Sequence, residues 1–463
     1  MSDPLDIALS TAPLQRRVLT AYGIGDAGTG MATAIVGFYL FLFYTDIAGL
    51  PAWLAGTVLM VVRLWDVLSD QMIGWISDRT VNQKGPRIPW MLWSAAPLGV
   101  SMTLMWWVPP FMDPWRFLWF VLIASLFQAT YSGVNLPYSA LATELTVNVD
   151  WRTRLNSVRF TGSVLASLLG LLLGAFLTHR GSSGYLMLGF AAGLILIAGS
   201  LASAVGLAPA AARCRRPSSR RRPLLPQLRQ LFANGFFRRV VAMYLLLWGA
   251  LQLMQPVAII FLSDCLHLPH SWSTGLLIPF QVSAMAGIWI WDQVSQRWSR
   301  LRALQIGGVG WILMCLIATL LPTFPDGSNV LNVVNRGPLA ALLISLTLLG
   351  ISAATAYLLP WAFLPDAVDA ETDHPAGLIT AFMVQIQKLG SAASVFVLGL
   401  MLSWSGYEAS LGTQQPLSAL RMIRVVMGWM PAILVLACLI IMHDWNRIQA
   451  QQIPCRDQVP QNI

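Results

Sequence analysis

Apolar stretches of about 20 to 28 residues recur along the whole chain, at approximately 18–45, 52–76, 89–110, 115–143, 156–178, 185–208, 238–265, 271–293, 303–322, 339–364, 376–403 and 422–443. At 1.5 Å per residue, each covers the roughly 30 Å hydrocarbon core of a bilayer with room for tilt. The expectation is an all-α integral membrane protein of about twelve spans. Composition agrees, because 56% of the 463 residues are apolar and 11% charged, whereas soluble chains carry about 25% charged residues. A soluble enzyme, a disordered chain and a nucleic-acid-binding domain are thereby excluded. Cys214, Cys265, Cys315, Cys438 and Cys455 stand apart with no CxxC spacing, which points to neither a zinc site nor a disulfide frame. Asp3, Asp6, Arg16 and Arg17 precede the first run without forming a basic n-region, a short core and a cleavage site, so the first helix is expected to stay.

Most of the 29 basic residues fall on one side when the loops are numbered alternately, and the positive-inside rule makes that side cytoplasmic, with both termini on it. The weight comes from Arg79, Lys84 and Arg87, from Arg152 and Arg154, from Arg297, Arg300 and Arg302, and from nine arginines between Arg213 and Arg239. Seven of the last group lie in an Arg- and Pro-rich linker over 209–237, which separates an N-terminal six-helix half (1–208) from a C-terminal one (238–445) and a cytoplasmic tail (446–463). That run serves as a topology anchor or meets anionic headgroups. Asp78-Arg79 with Lys84 and Arg87 is weakly echoed by Asp292 with Arg297 and Arg300, at the same place in each half. Two six-helix halves related by an axis along the membrane normal describe the major facilitator architecture.

A charge at the bilayer centre costs about 2.5–3.5 kcal/mol on insertion scales, so each one asks for a reason. The second span reads VVRLWDVLSDQMIGW and sets Arg63, Asp66 and Asp70 on one helical stripe. An Arg63–Asp66 pair would cancel charge and leave Asp70 one turn deeper. Two carboxylates one turn apart supply oxygen ligands for a hard cation such as Na⁺, or share a proton. Lys388, in IQKLGSAAS, is too deep to reach either interface comfortably; it needs an anionic partner or snorkels toward the cytoplasm.

Neutral and peripheral candidates surround these charges. Asp26 sits among the glycines of AYGIGDAGTG, either buried and hydrogen-bonded or lining the cavity. In YSGVNLPYSAL, Tyr131, Ser132 and Asn135 make an oxygen-rich face suited to hydroxylated solutes or a cation shell, unless Asn135 only satisfies the kink at Pro137. Arg159 follows the loop WRTRLNSVRF, as a helix-end anchor or as a cavity residue. In LPDAVDAETDHPAG, Asp366, Asp369, Glu371 and Asp373 form an acidic loop that meets the basic loops, Asp78 and Arg79 among them, as a gate, or is simply solvated.

YGIGD, FYTDIAGL, RLWDVLSDQMIGWISDRT, NLPYSAL, PDAVDAET and QKLG, in that order over residues 20–390, resemble the glycoside–pentoside–hexuronide:cation symporter family. The sodium-dependent lysophosphatidylcholine symporters are similar over the same blocks. The resemblance implies a cation site at Asp66 and Asp70, helped by Tyr131 and Ser132, with Lys388 linking it to the other half. It also implies a solute site. In the melibiose-transporting branch, aspartates hold the sugar at the positions of Gly30 and Asn135; Thr29 replaces a lysine, Ser139 and Tyr357 replace tryptophans, and Arg159 matches a sugar-binding arginine. Coupling therefore carries over, while the carboxylates that accept galactoside hydroxyls do not.

The leading expectation is cation-coupled symport, with Na⁺ or H⁺, of a sugar, glycoside or related solute across the plasma membrane; a lysolipid is the competing solute. Beyond that cation no cofactor is called for, nothing asks for an oligomer or a nucleic acid, and a monomer in the lipid bilayer is expected. His179, His267, His270, His374 and His443 are scattered, with no HExxH, so an enzyme is not expected. Saturable accumulation against a gradient separates a symporter from a channel or receptor.

Overall fold

The computed structural model describes residues 16–80, 82–83, 85–110, 112, 114–146, 149–212, 232, 235–324, 336–367 and 376–445. All regular structure among them is helical. The first six spans are α1 (Arg16–Leu42), α2 (Ala52–Arg79), α3 (Ile88–Leu104), α4 (Trp115–Glu144), α5 (Val149–Leu177) and α6 (Ser182–Ala211). The second six are α7 (Gly235–Ile260), α8 (Leu277–Arg297, after a short turn at His270–Gly275), α9 (Arg300–Leu320), α10 (Arg336–Ala353 continued by Thr355–Ala367), α11 (Ala376–Trp404) and α12 (Leu417–Arg424 continued to Met430–Met442). Among the described residues eleven helices are long and apolar enough to cross a membrane. The remaining span, α3, has 17 residues and ends at Leu104, about 25 Å of helix, short of its expected limit.

The internal echo is stronger in three dimensions than in sequence. α1 runs into a π-helical turn at Phe43–Ile47, and α7 into one at Phe261–Cys265. Ala48 N bonds Phe43 O and Leu50 N bonds Tyr44 O in the first; Leu266 N bonds Phe261 O and Leu268 N bonds Leu262 O in the second. In each turn a hydroxyl donates to the next aspartate, Thr45 to Asp46 at 2.8 Å and Ser263 to Asp264 at 2.6 Å. Equivalent ends on the first and seventh spans are what two halves related by one axis require.

Among the described residues the halves meet closely on the side of the membrane away from Arg16 and Trp445. There α2 crosses α11 at Gly56 and Gly399, where an added Cβ would lie 2.9 Å from Val395 O and 2.5 Å from Ala52 O respectively. Trp53 N donates to Ser403 Oγ at 2.9 Å, and His270 Nε2 lies 3.0 Å from Thr178 Oγ1. A larger residue at this crossing must push the halves apart. Overpacking of about 1–3 kcal/mol shifts a two-state balance roughly 5- to 150-fold. Gly56→Leu is therefore expected to hold this side open, so that an impermeant thiol reagent added from it labels Ser132→Cys far faster than in the Gly56 protein. Equal labelling rates would show that this crossing does not close the passage.

Candidate functional site

At the middle of the bundle Asp66 and Asp70, one turn apart on α2, are both buried. Lys388, near the centre of the 29-residue α11, places its Nζ 2.8 Å from Asp66 Oδ1 and 2.5 Å from Asp70 Oδ2. One ammonium thus serves two carboxylates from the opposite half and leaves one negative charge over. The snorkelling alternative for Lys388 is excluded by this geometry. Among the described residues Asp66 forms its ion pair with Lys388 and none with Arg63. Ser132 of α4 donates to Asp70 Oδ1 at 2.6 Å and lies 3.4 Å from Asp66 Oδ1.

Two members of this cluster escaped the sequence reading. Ser69 is buried between the carboxylates and donates to the Asp66 carbonyl at 3.2 Å. Gln385, one helical turn before Lys388, brings its Nε2 to 3.5 Å from Asp70 Oδ2. Their signal was their spacing from charged residues, i+3 from Asp66 and i−3 from Lys388. Tyr131 turns elsewhere, with its hydroxyl 3.4 Å from Thr33 Oγ1 of α1. Asp66 Oδ2 is buried with no donor; an unsatisfied buried acceptor costs about 1–3 kcal/mol, more when charged. Carboxylate and hydroxyl oxygens are the donor set that a hard monovalent cation takes, and they accept a proton equally well. Among the described residues no three His, Cys, Asp or Glu side chains gather as a metal cluster.

A second charged pair joins α1 to α5. Asp26 is buried; its Oδ1 accepts from Thr29 Oγ1 at 2.7 Å and its Oδ2 from Arg159 Nε at 3.1 Å. The Arg159 guanidinium stands over the Tyr138 ring, 5.3 Å from its centroid. That ring stacks on Tyr22 at 4.5 Å, and the Tyr138 hydroxyl donates to the Tyr22 carbonyl. The loop-anchor alternative for Arg159 fails because α5 begins at Val149, ahead of the expected 156, which carries Arg159 nearly three turns into the bundle.

The remaining solute candidates divide. Asn135, on the same α4 face as Ser132, has a buried Oδ1 with no donor. Tyr357 sets its ring against the edge of Trp248 at 5.4 Å, and Trp248 Nε1 donates to Ser391 Oγ at 2.9 Å. Gly30 lies at a close approach of α1 and α5. It packs against Ser163 of α5, where an added Cβ would lie 2.6 Å from the Ser163 carbonyl oxygen, so it serves helix approach, and no side chain fits there without moving α5.

At the terminal side, Arg87 bridges Asp78 at 2.6 Å and Glu144 at 2.9 Å, all within the first half. Burial opposes its charge, but hydrogen bonds and charge from Asp78 and Glu144 outweigh that and hold its pKa above the ordinary arginine value. Arg79 lies over the Trp75 ring at 3.7 Å. The expected gate partner Asp369 and the side chain of Asp366 lie outside the described residues.

Residues 21–446 match the model of a family described as MFS/sugar transport protein. An uncharacterized symporter of Synechocystis is 30% identical over 98% of each chain. The sodium-dependent lysophosphatidylcholine symporter 1-A of Danio rerio is 24% identical, over 86% of this chain and 81% of the relative. The putative glycoside/cation symporter YagG of Escherichia coli is 24% identical, over 93% and 92%. Among solved structures, a D-xylose–proton symporter superposes with a TM-score of 0.63 at 13% identity, over 92% of this chain and 96% of the other.

Proposed function

The chain belongs to the MFS/sugar transport protein family, and from that premise we propose that it is a cation-coupled symporter of the glycoside–pentoside–hexuronide type. One observation carries the reading: a lysine from one half holds two buried carboxylates of the other. An ammonium in that place keeps the carboxylates stable between transport cycles, and a coupling cation competes for the same oxygens. Na⁺ or H⁺ at Asp66 and Asp70, with Ser132, then releases Lys388 and alters the contact between the halves. A ligand moves such an equilibrium only through different affinities for its two states, and a site made from both halves supplies that difference. Alternating access follows as rocking of one half against the other about a loaded midplane site.

The solute site in this reading is made of the Asp26–Arg159 pair, Asn135 of α4 and Tyr357 of the second half. A sugar, glycoside or glucuronide is the solute proposed, crossing the plasma membrane with both termini cytoplasmic. A lysolipid is the second reading. It is favoured by the relative from Danio rerio. The deciding experiment is uptake into reconstituted vesicles of labelled sugars, glucuronides and lysolipids under an imposed sodium or proton gradient. Accumulation of a sugar, competed by free glycosides, supports the first reading. Uptake restricted to lysolipids and graded with acyl length selects the second, and no gradient-driven uptake of any of them removes symport.

A further inference from the structure

Two buried oxygens beside Lys388 have no hydrogen-bond donor, Asp66 Oδ2 on α2 and Gln385 Oε1 on α11. They belong to opposite halves. We infer that Gln385 is a ligand of the coupling cation, its Oε1 completing from the second half a shell that Asp66, Asp70 and Ser132 begin in the first. The inference rests on the cation-site reading of α2 and extends it to a residue outside the expected set.

The side chain is already in place. Its Nε2 lies 3.5 Å from Asp70 Oδ2, next to the Lys388 Nζ that sits 2.5 Å from the same oxygen. With Lys388 on the carboxylates, the local need is for donors, and the amide presents its NH₂ to Asp70. With a metal cation on them the need reverses, and a half-turn about the soft terminal torsion presents the carbonyl oxygen instead. A neutral amide adds a ligand without adding charge, so the charge balance of the lysine-held form is unchanged by it, and the cost there is the Oε1 left without a donor. A leucine of similar volume would remove that cost together with the Nε2 donor, and would leave the cation-held form without this ligand.

The consequence is coupling. Because α11 supplies a ligand, the cation is held best when the halves approach at this level, and its arrival draws α11 toward α2. A hard cation collects several oxygens, whereas a proton needs only one carboxylate, so Gln385 favours Na⁺ over H⁺.

The test is a sodium titration of thermal stability on the full chain, purified in detergent without solute, at constant ionic strength with choline. The native chain is expected to gain stability with sodium, and Asp66→Asn to lose that gain. Gln385→Leu is expected to raise the sodium midpoint about tenfold, the equivalent of about 1.4 kcal/mol of binding. Gln385→Glu, which returns an oxygen and adds a charge, should place the midpoint at or below the native one. If Gln385→Leu fails to fold, Gln385→Asn, whose oxygen is withdrawn by one methylene, should still raise the midpoint. A native-like response to sodium in Gln385→Leu or Gln385→Asn overturns this inference while leaving the carboxylate site intact. No sodium response in the native chain, or one that survives Asp66→Asn, removes the sodium site on α2 and this inference with it.

Discussion

Asp66→Asn and Asp70→Asn are each expected to abolish gradient-driven accumulation at unchanged amounts of protein in the membrane. Either change removes one of the two unit charges that oppose Lys388, and the charge left over for a cation disappears with it. At 4 Å and an effective dielectric constant of 20, one unit charge is worth about 4 kcal/mol to a monovalent cation, which is roughly three orders of magnitude in affinity. Folding is spared, because Lys388 keeps one carboxylate and an amide is cheaper to insert than a carboxylate. Solute should then only equilibrate across the membrane. The measurement is the accumulation ratio in vesicles under a sodium or proton gradient, normalised to expression. Full accumulation in the double variant would remove the cation site from α2.

Lys388→Ala is expected to be the most destabilising single change in the bundle, and to be partly rescued by Asp70→Asn. Removing the ammonium leaves Asp66 and Asp70 buried side by side with no cation between them, a loss of about 3–5 kcal/mol when one partner of a buried pair goes. Neutralising Asp70 then relieves the repulsion, so the double variant should be more stable than Lys388→Ala alone, although inactive. Thermal unfolding of the four purified proteins in sodium-free buffer closes the cycle. Distant sites add within about 0.3–0.5 kcal/mol, so additivity at that level would show that the lysine does not act on these carboxylates.

Different physics decided the fold and the site. The spans were legible because membrane insertion is a local property: a run of apolar residues long enough for the hydrocarbon core becomes a helix whatever its neighbours are. Asp66 and Asp70 were legible for the same reason, since a charge in such a run stands out wherever it points. Their immediate surroundings, read along α2 alone, offered Arg63 as a partner, and the fold chose Lys388 instead.

What the amino-acid sequence by itself determined is therefore the helical membrane architecture and the charged residues that a bilayer would not tolerate idle. Tertiary structure alone decided which of them meet. Lys388 and Asp70 are 318 residues apart, and Arg159 and Asp26 are 133 apart; no periodicity within one helix encodes such pairs, because they depend on rotation of whole helices about their axes. That rotation also turned Gly30 toward Ser163 and brought Gln385 within reach of Asp70. The physical reason is range: apolar transfer acts segment by segment, while ion pairs and ligand shells need oxygen and nitrogen atoms within about 3 Å, a condition that only the packed bundle sets.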